Sequence, residues 1–222
     1  MAKYKYEMLL AAQLLLTAIS PLFSSIAQAR TVLDITITIV FVTAIYVISN
    51  TRKHFIVGML LMVPALLLTW GVKLYHIPTL GYLSLAGTAV FFCYVASLIL
   101  IDIFKSKMVT LDIIAGGICV YLFFGNICGM VYALIGRLDP AAFSIPEATA
   151  SYIGNNLGEV SSAMYFSFVT LTTLGYGDIT PVNTFARTLA YLEAAIGQIY
   201  LTVLIASLVG IHISTSTRDN QP

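Results

Sequence analysis

Long apolar runs separated by short polar connections dominate the chain. A helix needs about 20 mostly apolar residues to cross the hydrocarbon core of a bilayer. By that criterion the pattern predicts six membrane spans, at approximately 7–27, 32–49, 55–73, 80–104, 109–135 and 184–212. The predicted fold class is therefore an all-α membrane protein with six transmembrane helices.

The segment 136–183 departs from this pattern, since it is richer in Gly, Pro, Ser, Thr and Asn than the spans. Its one apolar stretch, 164–174, is too short to cross a bilayer. Re-entrant backbone is tolerated at membrane depth only where it is buried in protein or lines a water-filled path. The segment thus indicates a pore, and the pattern predicts a re-entrant pore helix at about 159–172.

Composition supports a membrane protein and excludes other classes. Hydrophobic residues make up 59% of the 222 residues and charged residues only 9%, whereas soluble domains carry roughly 25% charged residues. The formal net charge of +1 provides no basic field for nucleic acid. Three cysteines, Cys93, Cys119 and Cys128, lie in apolar runs without CxxC spacing, so neither a disulfide framework nor a thiolate metal site is predicted.

Orientation follows from the lysines and arginines, because cytoplasmic flanks collect them. A cytoplasmic N-terminus places seven of the eleven basic residues inside: Lys3, Lys5, Arg52, Lys53, Lys105, Lys107 and Arg218. The remaining four, Arg30, Lys73, Arg137 and Arg187, then lie outside. This predicts a multi-pass protein of the cell membrane with both termini cytoplasmic, whose 136–183 loop enters from the outside.

The N-terminus has an alternative interpretation. Lys3 and Lys5, the apolar run from Met8 and the triplet AQA at 27–29 resemble a cleavable signal peptide. The apolar run continues past Pro21 to Phe23, which favours a first span. Cleavage would leave five spans with the loop on the same side.

The string TLTTLGYGD at 170–178 carries the chemistry of the loop. It resembles the pore signature of potassium channels, in which backbone carbonyl oxygens replace the hydration shell of the ion. A wall of carbonyls on one side of a strand needs backbone conformations that glycine tolerates, and Gly175 and Gly177 supply them. The resemblance implies that K⁺ contacts Thr173, Leu174, Gly175, Tyr176 and Gly177 in turn.

The resemblance also suggests residues that support this filter: Thr172, Asp178, Tyr165 and Glu193. Tyr165 and Phe166 stand where many family members carry a Trp pair, and Leu174 replaces the commonest valine. We therefore expect the Tyr165 hydroxyl to bond Asp178 behind the filter.

The resemblance extends through YFSF at 165–168 and LEAAIGQIY at 192–200, and covers roughly 109–212. It looks like the pore module of bacterial six-transmembrane potassium channels. Because four such strands must surround one axis and the chain carries one, it implies a homotetramer in the lipid bilayer. K⁺ is the permeant ion, and no cofactor, small-molecule substrate or nucleic-acid partner is expected. A weakly selective monovalent cation channel on the same scaffold is the alternative.

The helical wheel of the sixth span separates two faces. The predicted pore-facing set is Gln198, Leu201, Thr202, Ile205 and Val209, of which Ile205 and Val209 could form a hydrophobic constriction. Gly197 serves equally well as a gating hinge or as a close helix contact. Glu193 lies on a different face, so we expect a hydrogen bond from it to the back of the pore helix.

Three regions follow: a four-helix domain at 1–108, a pore domain at 109–213 and a short cytoplasmic tail at 214–222. The fourth span, 80–104, has no Lys or Arg, which argues against voltage sensing by charged helix residues. The tail is too short for a ligand-sensing domain. Because the connection at 104–109 is also short, each four-helix unit is predicted to pack against its own pore.

Membrane-depth acids are functional candidates by default. Asp102 and Asp112 lie near Lys105 and Lys107, so interfacial pairing is the preferred interpretation. Asp34 is expected to snorkel towards the outer surface or to cap its helix.

A six-span membrane enzyme is the rival from another class. Gly81, Ser84 and His212 resemble the arrangement in intramembrane serine proteases, but the predicted depths of Ser84 and His212 differ by most of the roughly 30 Å hydrocarbon core. A nucleophile and its base must lie within hydrogen-bond reach. The sequence therefore predicts no enzyme, and the three histidines, which lie at different levels, predict no metal site.

Overall fold

The structure is a computed structural model that describes the residues 4–22, 29–49, 51–75, 77–106, 110–146 and 157–219. Seven α-helices lie within these residues: α1 (Lys5–Leu22), α2 (Ala29–Ile48), α3 (Arg52–Tyr75), α4 (Pro78–Lys105), α5 (Leu111–Leu138), α6 (Val160–Leu171) and α7 (Thr184–Asp219). Two short antiparallel strands pair with each other in the connection between α5 and α7: β1 (Phe143–Ser144) and β2 (Thr180–Pro181).

Five of these helices, α2, α3, α4, α5 and α7, are long and apolar enough to cross a membrane. They match the second to sixth predicted spans, and the prediction of an all-α membrane protein is confirmed. The first predicted span corresponds to α1, which is not among the five because Lys5, Glu7 and Gln13 lower its hydropathy. Its crossing stays a prediction, and the proposed cleavage triplet begins outside the described residues.

Two further boundaries compare directly with the sequence pattern. The predicted pore helix at 159–172 is α6, which agrees to within one residue at each end. The last helix continues to Asp219, whereas the apolar pattern ended at 212. Neither Gly nor Pro interrupts 211–219, so nothing in the sequence stops the helix where its hydropathy falls.

Helix α5 is the centre of the fold and packs against α1, α4, α6 and α7. Aromatic side chains connect α2 to α4 and α4 to α5: the ring centroids of Phe41 and Phe91 are 4.7 Å apart, and those of Phe92 and Phe123 are 4.8 Å apart. Such pairs add stability beyond their buried area. Helices α1 and α4 thus pack on the α5 of the same chain, whereas α2 packs mainly on α1, and α3 packs mainly on α4.

Two glycines of α5 face the pore helix, and side chains of the pore helix occupy the space beside them. A Cβ atom at Gly125 would lie 2.7 Å from Cε1 of Phe168, and one at Gly129 would lie 2.6 Å from Sδ of Met164. The two glycines are four residues apart and therefore share one face of α5. Small residues on that face let the pore helix approach the α5 backbone.

The N-terminal end of α7 is fixed to the C-terminal end of α5. Asn183 accepts a hydrogen bond from the Ala186 amide at 2.7 Å, which is the geometry of a helix N-cap. Its Nδ2 donates to Asp139 Oδ2 at 3.1 Å, just beyond the last turn of α5. These contacts hold the two ends of the loop that contains α6.

Asp34 differs from its expected surroundings. Its side chain is only 8% exposed, so the expectation of snorkelling or capping is wrong. Because α2 begins at Ala29, Asp34 lies in the second turn, beyond capping range, and it faces the protein interior.

Asp102 and Asp112 have partners that the sequence did not indicate. Asp102 Oδ2 pairs with Lys5 Nζ of α1 at 2.8 Å, where Lys105 or Lys107 was expected. Asp112 Oδ1 accepts a hydrogen bond from the Tyr6 amide at 2.8 Å. Lys107 lies outside the described residues.

Candidate functional site

The loop at 172–178 follows the C-terminus of α6 and is tied back to it by its own backbone. The amides of Leu174 and Gly175 both donate to the Val169 carbonyl, at 3.0 and 3.3 Å, and the Thr173 amide donates to the Thr170 carbonyl at 2.9 Å. These bonds use carbonyls that a helix end otherwise leaves without a partner. The start of the loop is therefore fixed by the end of the pore helix.

Left-handed backbone recurs at every second residue of this loop. Thr173, Gly175 and Gly177 have φ of 58°, 59° and 77°, and Thr173 is the only non-glycine residue with positive φ in the described part of the chain. In a regular strand all φ values are negative and successive carbonyls point to opposite sides. Alternating handedness instead turns successive carbonyls to the same side. A row of oxygens along one side of a strand is the arrangement that can replace the water around a cation.

The glycines are needed for this backbone and not for space. An added Cβ at Gly175 or Gly177 would meet no atom within 4 Å. The left-handed conformation, in contrast, costs a residue with a side chain roughly 1–2 kcal/mol.

The chain itself leaves the loop uncovered. The side chains of Leu174 and Tyr176 are 55% and 66% exposed, although both are large and apolar in body. Exposed apolar groups beside a filter-like strand are typical of a surface that another chain covers.

A hydrogen bond between Tyr165 and Asp178 connects the pore helix to the C-terminal end of the loop. The Tyr165 hydroxyl donates to Asp178 Oδ2 at 2.5 Å, which is the hydrogen bond expected from the sequence. Burial, followed by the hydrogen bond to Asp178 and the charge of that carboxylate, raises the pKa of Tyr165 to about 12. The phenol thus keeps its proton, and remains a donor, at neutral pH. Asp178 Oδ1 also accepts from the Ile179 amide at 3.1 Å.

Glu193 is 2% exposed and joins three helices at the level of the pore helix. The Ser167 hydroxyl of α6 donates to Glu193 Oε1 at 2.5 Å, and the Tyr132 hydroxyl of α5 donates to Glu193 Oε2 at 2.7 Å. The contact with the back of the pore helix was expected, whereas Tyr132 was not. A buried acid needs donors nearby, but the sequence offers many hydroxyls and only the fold selects among them.

Gly197 lies against the C-terminal end of the pore helix. A Cβ at this position would be 2.5 Å from Leu171 Cδ1 and 2.9 Å from the Leu171 carbonyl oxygen. The same carbonyl accepts a hydrogen bond from the Tyr121 hydroxyl at 3.3 Å. Helix α7 is unbroken across Gly197, so the structure supports close contact as the role of this glycine.

The predicted pore-facing residues of α7 lie on a sparsely packed face. Gln198, Thr202, Ile205 and Val209 are exposed and Leu201 is half-buried. Gln198 Nε2 donates to Thr173 Oγ1 at 3.3 Å, which places this face beside the first loop residue with positive φ. Thr172 differs, since its hydroxyl donates to the Phe168 carbonyl of α6 at 2.6 Å.

A cavity of about 610 Å³ lies between α6 and the helices α1 to α5. Its wall includes Asp34, Arg137, Ser84 and Leu174. Arg137 Nε donates to the Gly158 carbonyl at 2.8 Å, just before the pore helix. Because Leu174 forms part of the wall, the cavity reaches the filter-like strand.

Ser84 is the nucleophile that the serine-protease alternative requires. The Ser84 hydroxyl lies 2.9 Å from the Thr69 hydroxyl, which is no general base, and the side chain of His212 is outside the described part. No group of three or more His, Cys, Asp or Glu that could hold a metal ion occurs within the residues that the structure describes.

In a comparison with known protein families, residues 141–212 match the model of a family described as ion channel. The chain is 32% identical over 80 residues to protein LctB of Geobacillus stearothermophilus, which is 36% of this chain and 58% of that protein. It is 39% identical over 70 residues to potassium channel AKT1 of Arabidopsis thaliana, covering 30% of this chain and 8% of the relative. It is 47% identical over 51 residues to probable potassium channel protein 2 of Methanocaldococcus jannaschii, covering 22% of this chain and 15% of the relative. Each match thus spans less than two thirds of the relative.

Proposed function

We propose that this chain forms a homotetrameric, K⁺-selective channel of the cell membrane, and the ion-channel family match at residues 141–212 and the two potassium-channel relatives support this proposal. The observation that carries the proposal is the left-handed backbone at every second residue of the loop. It supports a filter in which the carbonyl oxygens of 173–177 bind the dehydrated ion. Conduction is passive in this proposal, with each ion displacing the next between adjacent sites of the filter.

Selectivity and throughput both follow from uncharged oxygens. Carbonyl dipoles compensate the lost hydration of K⁺, and several equivalent sites in a row let one ion displace the next. A carboxylate in the ion path would bind a cation too tightly for rapid release. Asp178, the nearest acid, is held by the Tyr165 hydroxyl.

Four chains are needed because one strand offers oxygens on only one side of an ion. The exposed Leu174 and Tyr176 side chains and the sparsely buried α7 support an interface around the filter. In this arrangement, Gln198 and the residues below it line the inner path, and Ile205 and Val209 close it by dewetting. The C-terminus of each pore helix points its partial negative charge towards the ion path.

The four-helix unit is not a charged voltage sensor in this proposal. Helix α4 has one basic residue, Lys105, and this lies in its last turn. Steep voltage dependence needs several charges that move through the field. The basic residues favour cytoplasmic termini and a loop that enters from outside.

Ion flux into liposomes containing the purified protein tests the proposal. We expect uptake driven by a K⁺ gradient, block by barium, and no comparable uptake with Na⁺ as the only cation. Equal Na⁺ and K⁺ fluxes would favour the alternative, a weakly selective cation channel. The absence of flux with either ion, in liposomes that contain verified tetramers, would contradict channel function.

A further inference from the structure

The first turn of α1 docks where α4 ends and α5 begins. Lys5 Nζ pairs with Asp102 Oδ2 of α4 at 2.8 Å, and the Tyr6 hydroxyl donates to the same oxygen. The Tyr6 amide donates to Asp112 Oδ1 in the first turn of α5 at 2.8 Å. The helices α1, α4 and α5 therefore meet in one polar cluster, at the end of α5 that is far from the filter loop.

Tyr6 also packs directly on the backbone of α5. Its side chain is 1% exposed, and a Cβ at Gly116 would lie 3.1 Å from Tyr6 Cδ2. The Cys119 thiol approaches the Tyr6 carbonyl at 3.6 Å. The tyrosine ring thus packs on Gly116, and a methyl group added there would force the ring to shift.

The next residue of α5 contacts the helix that lines the proposed inner path. A Cβ at Gly117 would lie 2.8 Å from Leu204 Cδ2 of α7. The Tyr200 hydroxyl donates to the Gly117 carbonyl at 2.7 Å. Leu204 is the neighbour of Ile205, a member of the proposed constriction.

Two adjacent glycines of α5 thus separate α1 from α7 by the thickness of one helix backbone. Interiors are close-packed and transmit displacement instead of absorbing it. A movement of Tyr6 would therefore be passed to Gly116, and to Gly117 because the two glycines are adjacent in α5. The contacts of Gly117 with Leu204 and Tyr200 would then change as well.

We propose that the first turn of α1 sets the position of α5 against α7 and thereby the balance between open and closed inner gates, with Tyr6 as the positioning residue. This inference rests on the proposed channel function. It gives the four-helix unit a role that needs no charged sensor, because its polar cluster acts through packing on the pore domain.

Single-channel recording of Tyr6→Ala tests the proposal, with Tyr4→Ala as the matched control because Tyr4 is 55% exposed in the same segment. We expect Tyr6→Ala to change the ratio of open to closed time by at least about fivefold, the low end of allosteric couplings. Unitary conductance and reversal potential should stay as in the wild type, since the filter is untouched. Tyr6→Phe, which keeps the ring on Gly116, should restore most of the wild-type ratio.

Gly116→Ala provides a second variant that retains the tyrosine but pushes its ring away from α5, and it should shift the ratio in the same direction. A ratio in Tyr6→Ala and Gly116→Ala equal to that in Tyr4→Ala would overturn the proposal. Reduced conductance or selectivity in Tyr6→Ala would do so as well, because it would show a general loss of structure.

Hydrogen exchange of the backbone amides at 200–205 makes the test independent of conduction. We expect exchange there to rise at least about fivefold in Tyr6→Ala tetramers but not in Tyr4→Ala tetramers. Unchanged exchange would contradict the coupling. If exchange rises in Tyr6→Ala tetramers as expected but wild-type tetramers carry no K⁺ current, the result contradicts the proposed function and not the coupling.

Discussion

At the scale of single residues, the backbone of the filter loop distinguishes this segment from an ordinary glycine-rich turn. Positive φ recurs at Thr173, Gly175 and Gly177, and the threonine bears the cost of a side chain in that conformation. Hydrogen bonds from the Leu174 and Gly175 amides to Val169 fix the first half of the loop. Sparsely populated backbone conformations persist where the surroundings over-determine them, and they concentrate at functional sites.

Gly177→Ala should abolish selective conduction. The added methyl group meets no atom within 4 Å, so its whole effect is backbone strain at φ 77°, roughly 1–2 kcal/mol in every subunit. Gly71→Ala is the control, because it adds a methyl group in equally open space on α3 without positive φ. K⁺ flux into liposomes should fall at least tenfold in the first variant only. A normal K⁺ flux in Gly177→Ala would show that the conformation of this residue does not matter.

Tyr165→Phe removes only the hydroxyl that bonds Asp178. Hydrogen bonds to charged groups contribute about 1.5–3 kcal/mol, so the outer part of the filter should lose order and sustained K⁺ current per channel should fall about tenfold. The matched control is Tyr46→Phe, since Tyr46 is an exposed residue of α2. Planar-bilayer recording provides the measurement. Equal currents in both variants would limit this bond to a role in folding.

At the scale of elements, α5 and α7 hold the pore helix between them. The glycines of α5 contact side chains of α6 on one side. On the other side, Gly197 of α7 contacts Leu171, the last residue of α6. Glu193 of α7 joins the three helices, because it accepts hydrogen bonds from Ser167 of α6 and Tyr132 of α5. Burying a carboxylate is costly unless it is hydrogen-bonded, so this cluster specifies how the three helices pack.

Gly197→Ala discriminates between a contact and a hinge. The new methyl group would overlap Leu171 and its carbonyl, and overpacking of this kind costs about 1–3 kcal/mol. We expect tetramers to dissociate at a lower temperature, measured by size-exclusion chromatography after heating. Gly210→Ala is the control on the same helix, since a methyl group there meets no atom within 4 Å. Unchanged heat stability together with altered open probability would support the hinge instead.

At the scale of the whole molecule, local features could be predicted and long-range partners could not. The pore helix and the filter string are contiguous in sequence, and their chemistry depends on residues that lie next to one another. The partner of Asp102 is 97 positions away, and Lys105 and Lys107 were closer candidates. Only the packing of Tyr6 on α5 selects Lys5. Asp34 was misplaced for a similar reason, because the packing of α2 against the other helices, and not the closeness of Asp34 to the start of the span, decides which face of α2 is buried.

The bi-ionic reversal potential of the wild-type protein tests the central claim most directly. Purified tetramers in a planar bilayer would face K⁺ on one side and Na⁺ at equal concentration on the other. Each tenfold preference for K⁺ moves the reversal potential by about 59 mV. A backbone-carbonyl filter selective for K⁺ predicts a displacement of at least about 59 mV towards the K⁺ equilibrium potential. A reversal potential near zero would contradict selective conduction by this chain.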